Sequence, residues 1–262
     1  MDLGLRDRVY IVTGGSRGLG RATAESLVAE GAHVVVSSRS QESVDKAARE
    51  LRDGAAGGAA SGRGTAVGLA ADNADPDAPG QLVNAARENF GRLDGALISV
   101  GGPPGGQVTQ AGDEQWQAAF ESVFLGAVRL ARRVAAEVGE GGALAFILSS
   151  SVRQPIPGLA ISNGLRPGLG MVAKDLADEL GPRGIRVNGL LPGRIATDRI
   201  QELDGAAGDA DEVRLQREQS IPMRRYGQPA ELGRTAAFVL SPAASYVSGA
   251  MIPVDGGALR SL

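Results

Sequence analysis

Residues Thr13-Gly14-Gly15-Ser16-Arg17-Gly18-Leu19-Gly20 follow a short apolar run and precede an amphipathic stretch. Glycine adopts backbone angles that a Cβ forbids and lets the main chain approach a ligand closely. A helix starting directly after such a turn presents unpaired N–H groups and a partial positive charge to an anion. Strand, glycine turn and helix in that order form a cradle for a diphosphate, built here from Gly14, Ser16, Arg17, Gly18, Leu19 and Gly20. The spacing is Gly-x-x-x-Gly-x-Gly, not Gly-x-Gly-x-x-Gly. The next apolar run ends Val36-Ser37-Ser38-Arg39. A carboxylate at that point would bind ribose hydroxyls and repel a 2′-phosphate. Arg39 instead offers a forked, charged donor, with Arg17 as a second and the Ser38 hydroxyl beside them, which favours a dinucleotide that carries a 2′-phosphate. A third feature is Ser162 with Arg166 four residues later, a spacing that shares one helix face. The guanidinium stays protonated and cannot act as a base, but it can fix charge beside a ribose or an oxyanion. Pro167 predicts that a helix begins there and does not run through Arg166.

The composition narrows the chemistry. A chain of 262 residues, 43% apolar and 22% charged, suits one globular domain with a sizeable core. A net charge of −3 without a basic block argues against nucleic acid as a partner. The opening MDLGLRDRVYIVTGG matches neither a signal peptide nor a membrane span, so a cytoplasmic protein acting on a small molecule is expected. Without cysteine there are no disulfides and no thiolate chemistry. His33 is the sole histidine and opens the strand-like HVVV, which leaves no histidine metal cluster and a poor start for a serine–histidine hydrolase. No metal site is expected. The small-residue stretch 53–64 reads as a flexible connection, and DGAAGDAD at 204–211 breaks a charged segment.

The elements that must position these groups alternate along the chain. Strand-like runs occupy 8–13, 33–38, 65–71, 95–99, 143–149, 185–190 and 250–254, with amphipathic stretches near 18–30, 41–52, 79–90, 113–138, 167–181 and 228–240. Apolar runs buried on both faces and separated by helices predict a parallel sheet covered on each side, with ligands at the carboxyl ends of the strands.

The turn at 13–20, LDGALISVGG at 93–102, GIRVNGLLPGRIATD at 184–198 and SYVSGAMIPVDGG at 245–257 together resemble the short-chain dehydrogenase/reductase family over essentially the whole chain. The resemblance implies a single Rossmann-type, doubly wound α/β domain with a seven-stranded parallel sheet, a nicotinamide cofactor and a homotetramer or homodimer. It places Asp72 and Asn73 beside the adenine, Val100 and Gly101 after the fourth strand, and Pro192, Gly193, Ile195 and Thr197 at the nicotinamide carboxamide. It makes 197–223 a substrate lid. In that family a serine, a tyrosine, a lysine and an asparagine carry the proton chemistry. The matching positions here are Ser149 (with Ser151 on the same loop), Ser162, Arg166 and Val123. Only the serine is kept. A serine hydroxyl is a much weaker acid than a phenol. Tyr226 and Arg153 are further candidates for the cleft, whereas Tyr10 and Tyr246 read as structural. The expectation is an NADP(H)-dependent reductase or dehydrogenase with a non-standard proton route. Non-redox chemistry on the same fold, or a non-catalytic nucleotide-binding subunit, remain as alternatives.

Overall fold

Seven strands lie on the seven apolar runs: β1 (Val9–Thr13), β2 (His33–Ser38), β3 (Ala66–Ala70), β4 (Gly95–Ser99), β5 (Ala143–Ile147), β6 (Arg186–Pro192) and β7 (Met251–Val254). All pair in parallel in one sheet of order β3-β2-β1-β4-β5-β6-β7. The structure, a computed structural model, describes residues 2–56, 64–206 and 208–261.

β1, β2, β4, β5 and β6 are buried on both sides, whereas the edge strands β3 and β7 are mostly half-buried, and alternate residues go to opposite layers as the pleat requires. Ile11, Ile98, Leu144 and Phe146 pack under α3 (Ala78–Phe90), α5 (Gly126–Glu137) and α6 (Ala160–Leu180). Val12, Val34, Val36, Leu97 and Ile147 pack under α1 (Gly18–Ala29), α2 (Gln41–Ala56) and α9 (Pro229–Leu240). The chain builds β1, β2 and β3 outward on one side and then crosses back to place β4 on the other. A crevice therefore opens at the strands' carboxyl ends beside β1, where ligands of such sheets sit.

Three departures from the sequence-based expectation matter. Helix α2 continues to Ala56, into the small-residue stretch; residues 57–63 of that stretch lie outside the described residues. Helix α6 begins at Ala160 and runs straight through Pro167. Proline removes one hydrogen bond from a helix interior, but Ile161, Leu165, Leu169 and Ala173 repeat every four residues and are all buried. That continuous apolar stripe holds the helix across the missing bond. Last, the segment after β6 forms two helices, α7 (Asp198–Gly205) and α8 (Ala210–Ser220), broken near Gly208 at φ 151°.

Between α5 and the preceding α4 (Asp113–Ala119), residues Phe120–Leu125 form a π-helical stretch that carries Val123, which is buried. Such bulges shift the register of a helix face. Directly after it, a Cβ on Gly126 would lie 2.1 Å from the Asn73 carbonyl oxygen, so glycine lets the helix reach the loop after β3.

Candidate functional site

The glycine turn is shaped by what its residues lack. Gly14 and Gly18 sit at φ 60° and 58°, where a side chain is strained. A Cβ on Gly15 would meet the Val12 carbonyl oxygen at 2.9 Å, and one on Gly20 would meet the Gly14 oxygen at 2.4 Å. The turn thus folds flat onto the start of α1. Arg17 is the N-cap of α1 and makes no side-chain cap, so the helix's first N–H groups are not spent on a side chain. Thr13 locks the floor: its hydroxyl donates to the Ser99 carbonyl oxygen and accepts from the Ser99 N–H, both at 2.9 Å. This fixes the ends of β1 and β4 across the strand-order reversal. Thr13 is visible in the motif, but its role as a clamp depends on Ser99, 86 residues away in the chain. These features fit a dinucleotide: a glycine-lined backbone turn and a helix N-terminus whose N–H groups are not capped by a side chain.

On the β2 side, Arg39 is exposed and Ser38 half-buried, with the Ser38 hydroxyl donating to the Ser40 carbonyl oxygen at 3.2 Å. After β3, the exposed Asp72 carboxylate accepts from the Ala74 N–H at 3.0 Å, and Asn73 lies against Gly126.

On the β4–β5 side, Arg166 dominates. It is only 5% exposed. Its Nη1 donates to the Ile147 carbonyl oxygen at 2.6 Å, and Nη2 to those of Val100 and Gly101 at 3.2 and 3.3 Å. One guanidinium thereby ties the exits of β4 and β5 together. Its Nε–H is buried and has no partner. Burial lowers its pKa to about 10, so it remains charged at neutral pH. Ser162, one turn earlier on the same α6 face, is also buried. Ser149 caps the short turn Ser150–Val152, its Oγ accepting from the Ser151 N–H at 3.1 Å. The Ser151 hydroxyl beside it is buried without a partner. Helix α6 packs on this turn.

The chain after β6 crosses the mouth. Gly193 passes so close to Asp255 that a Cβ would lie 2.6 Å from the Asp255 Cβ. Ile195 is buried and bridges to Gly227, and Thr197 caps α7 by accepting from the Ile200 N–H at 3.4 Å. Asp198 then pairs with Arg17 at 3.9 Å, and Arg199 Nη2 donates to the Pro103 carbonyl oxygen at 2.9 Å. Both sides of the crevice are thus bridged from the start of α7. The Arg199 contact is not visible in sequence, because its acceptor is a backbone oxygen 96 residues away.

The family model described as enoyl-(acyl carrier protein) reductase matches residues 14–258. The L-rhamnose 1-dehydrogenase (NAD(P)(+)) of Azotobacter vinelandii is 36% identical over 98% of this chain and 99% of its own. The chain belongs to the short-chain dehydrogenase/reductase family. Among its other family relatives, the short-chain reductase protein NovJ of Streptomyces niveus is 33% identical over 96% of this chain and 94% of its own. The L-sorbose reductase of Gluconobacter frateurii, solved with NADPH and L-sorbose, superposes with a TM-score of 0.90 at 32% identity, covering 100% of both chains.

As a short-chain dehydrogenase/reductase the molecule is an oxidoreductase by descent. Val123 is buried within the π-helical stretch. Tyr226 does not face the crevice as an acid: its hydroxyl donates to the Asp204 carboxylate at 2.8 Å, and burial first, then that bond, raises its pKa. Arg153 Nη2 donates to the Met251 carbonyl oxygen at 3.2 Å.

Proposed function

We propose that this chain is an NADP(H)-dependent oxidoreductase that interconverts a carbonyl and an alcohol without the family's tyrosine–lysine pair. The observation that carries the cofactor choice is Arg39, exposed at the end of β2 where a carboxylate would select NAD(H). Arg17 lies on the same side, and NADPH in the L-sorbose reductase crystal agrees with the choice.

When bound, the dinucleotide supplies or accepts the hydride. The rest falls to this chain's side chains. The glycine turn and the α1 N-terminus hold the diphosphate, Thr13 fixes the floor between the two halves, and Ile195 and Thr197 close over the carboxamide end. Ser149 takes an N–H from Ser151 on its lone pair, which leaves its own proton to point at a substrate oxygen. Ser162 is the other hydroxyl assigned to the site. Neither serine is acidic enough to hand over a proton at neutral pH as a phenol does, so water or a group of the substrate completes the transfer. The missing positioned acid forgoes roughly 10²–10⁴-fold in rate. Holding hydride donor and acceptor in near-attack geometry contributes more, about 7–11 kcal/mol. We assign the segment 197–223 as the lid over this site.

The test is loss of reduced nicotinamide absorbance with NADPH across a panel of ketoses, aldoses and 3-oxoacyl thioesters, for the wild type and Ser149→Ala. Turnover of at least one class, reduced roughly tenfold or more by the substitution, is expected. Product formation with no change in nicotinamide oxidation state would identify non-redox chemistry instead.

A further inference from the structure

Both ends of the Asn163 amide are spent on one residue. Its Oδ1 accepts from the Ile156 N–H at 3.0 Å, and its Nδ2 donates to the Ile156 carbonyl oxygen at 2.8 Å. Ile156 stands between Pro155 and Pro157, which have no N–H and fix their own φ. The clamp therefore takes up the only amide proton of this Pro-Ile-Pro arch. The chain just beyond is bonded again: the Gly106 N–H donates to the Gly158 carbonyl oxygen at 2.7 Å, and the Ala160 N–H to that of Gly106 at 3.2 Å. Pro155 and Pro157 are nonetheless exposed and Ile156 is half-buried. An exposed loop held this firmly by the scaffold is suited to present a surface to a ligand.

The arch belongs to the exits of β4 and β5. It follows the Ser149 turn and leads into α6, whose Arg166 is bonded to the carbonyls of Ile147, Val100 and Gly101. Its partner Gly106 ends the glycine–proline stretch 101–106 that leaves β4. Neither 101–106 nor 155–161 contains a polar side chain. Many of their backbone groups are engaged as well. Besides those of Ile156, Gly106 and Gly158, the Pro103 carbonyl oxygen accepts from Arg199 Nη2 at 2.9 Å, and Pro103 and Pro104 offer no donor. A hydroxyl set against this edge gives up its water and finds few partners, whereas a hydrocarbon there loses nothing.

Resting on the carbonyl–alcohol reading above, we propose that Asn163 is a positioning residue that holds Pro155, Ile156 and Pro157 as an apolar edge of the substrate site, selecting a ketone with a hydrocarbon body over a polyhydroxylated one. Ser149 takes the carbonyl oxygen and the arch takes the hydrocarbon. Asn163 acts through Ile156 and does not touch the substrate.

Steady-state oxidation of NADPH with 4-methylcyclohexanone, 4-hydroxycyclohexanone and L-sorbose decides it. The two cyclohexanones differ by a methyl against a hydroxyl of similar size. In the wild type, kcat/KM for the methyl ketone is expected to exceed that for the hydroxy ketone by roughly tenfold to a hundredfold, with L-sorbose lower still. Asn163→Leu, which keeps the volume and removes both bonds to Ile156, should bring that ratio within about threefold, through a higher KM for the methyl ketone and with the Kd for NADPH unchanged. A merely structural role for Asn163 would lower both ketones alike and leave the ratio as it was, which overturns the proposal. So does a wild type that turns over the hydroxy ketone or L-sorbose as well as the methyl ketone. Should the leucine variant not fold, the wild-type ratio decides alone. Turnover confined to sugars or thioesters removes this inference and leaves the reductase reading standing. No oxidation of NADPH with any carbonyl class removes both.

Discussion

Arg39 stands exposed beside a half-buried serine at the end of β2, and a charged partner for it would come from a ligand's 2′-phosphate. Hydrogen bonds to a charged group contribute about 1.5–3 kcal/mol. Arg39→Ala is therefore expected to weaken NADPH binding by roughly tenfold to a hundredfold, while NADH, which has no phosphate there, binds as before. Fluorescence titration of the reduced nicotinamide reads both constants. Equal losses for NADPH and NADH would show that the side chain shapes the loop and does not read the phosphate. The contrast with Arg166 is instructive. Two arginines flank the same crevice: one is exposed and available to a ligand, the other is buried and spent on backbone oxygens. Residue type alone does not distinguish them. Burial does, and it is set by α6, the helix from which Arg166 projects.

Helix α6 shows how an element overrides a local signal. Pro167 is its eighth residue and lacks the N–H that would bond back toward Asn163. Proline in a helix interior costs about 3 kcal/mol against alanine. It also restricts the unfolded chain, which returns about 0.4–1 kcal/mol. Pro167→Ala should accordingly stabilise the fold by roughly 1–2 kcal/mol, raising Tm by a few degrees for a chain of this size. Thermal unfolding followed by circular dichroism checks this, and an unchanged or lower Tm would mean that the helix needs the proline's rigidity. The strands were legible in the sequence because each is a short apolar run, buried on both faces in the five inner strands, and β1 to β7 fall within two residues of those runs. The first turns of α6 were not, since Pro167 reads as a start and the long-range packing of Ile161 and Leu165 is invisible locally. Helices α7 and α8 were missed for a different reason. No residue of α8 is buried and α7 buries only Asp204, so neither leaves an apolar stripe to find. The glycine turn and the end of β2 were legible as a site because strand, turn and helix follow one another in the chain. The carbonyl cage around Arg166 joins residues 19 to 66 positions apart and has no sequence signature.

At the scale of the whole molecule, the segment 198–220 lies outside both cores, and one buried acid holds much of it in place. Among the described residues, neither core contains any part of α7 or α8. The segment is instead fastened at Asp204, 3% exposed, which accepts from Arg194 Nη1 at 2.5 Å and from the Tyr226 hydroxyl at 2.8 Å. Arg194 and, from α8, Arg214 flank the Tyr226 ring at 5.9 and 5.3 Å. One buried carboxylate on α7 thus gathers the chain leaving β6, the chain entering α9 and helix α8. The far end of α7 rests on the exposed Arg17–Asp198 pair, which contributes little, and on the Arg199 contact to Pro103. Asp204→Asn keeps the shape but removes the charge that both donors share, at a cost of about 1–3 kcal/mol. Because that cost falls on the segment and not on the cores, local opening should increase while global unfolding barely moves. Limited proteolysis within 198–220 is expected to accelerate roughly tenfold or more, since cleavage tracks the open population, with Tm shifted by no more than about 2 °C. NADPH should slow cleavage in both proteins if α7 closes over the bound dinucleotide. A Tm that falls in step with the cleavage rate would instead place Asp204 within the cooperative core, and the segment would then be a fixed wall of the site and not a lid.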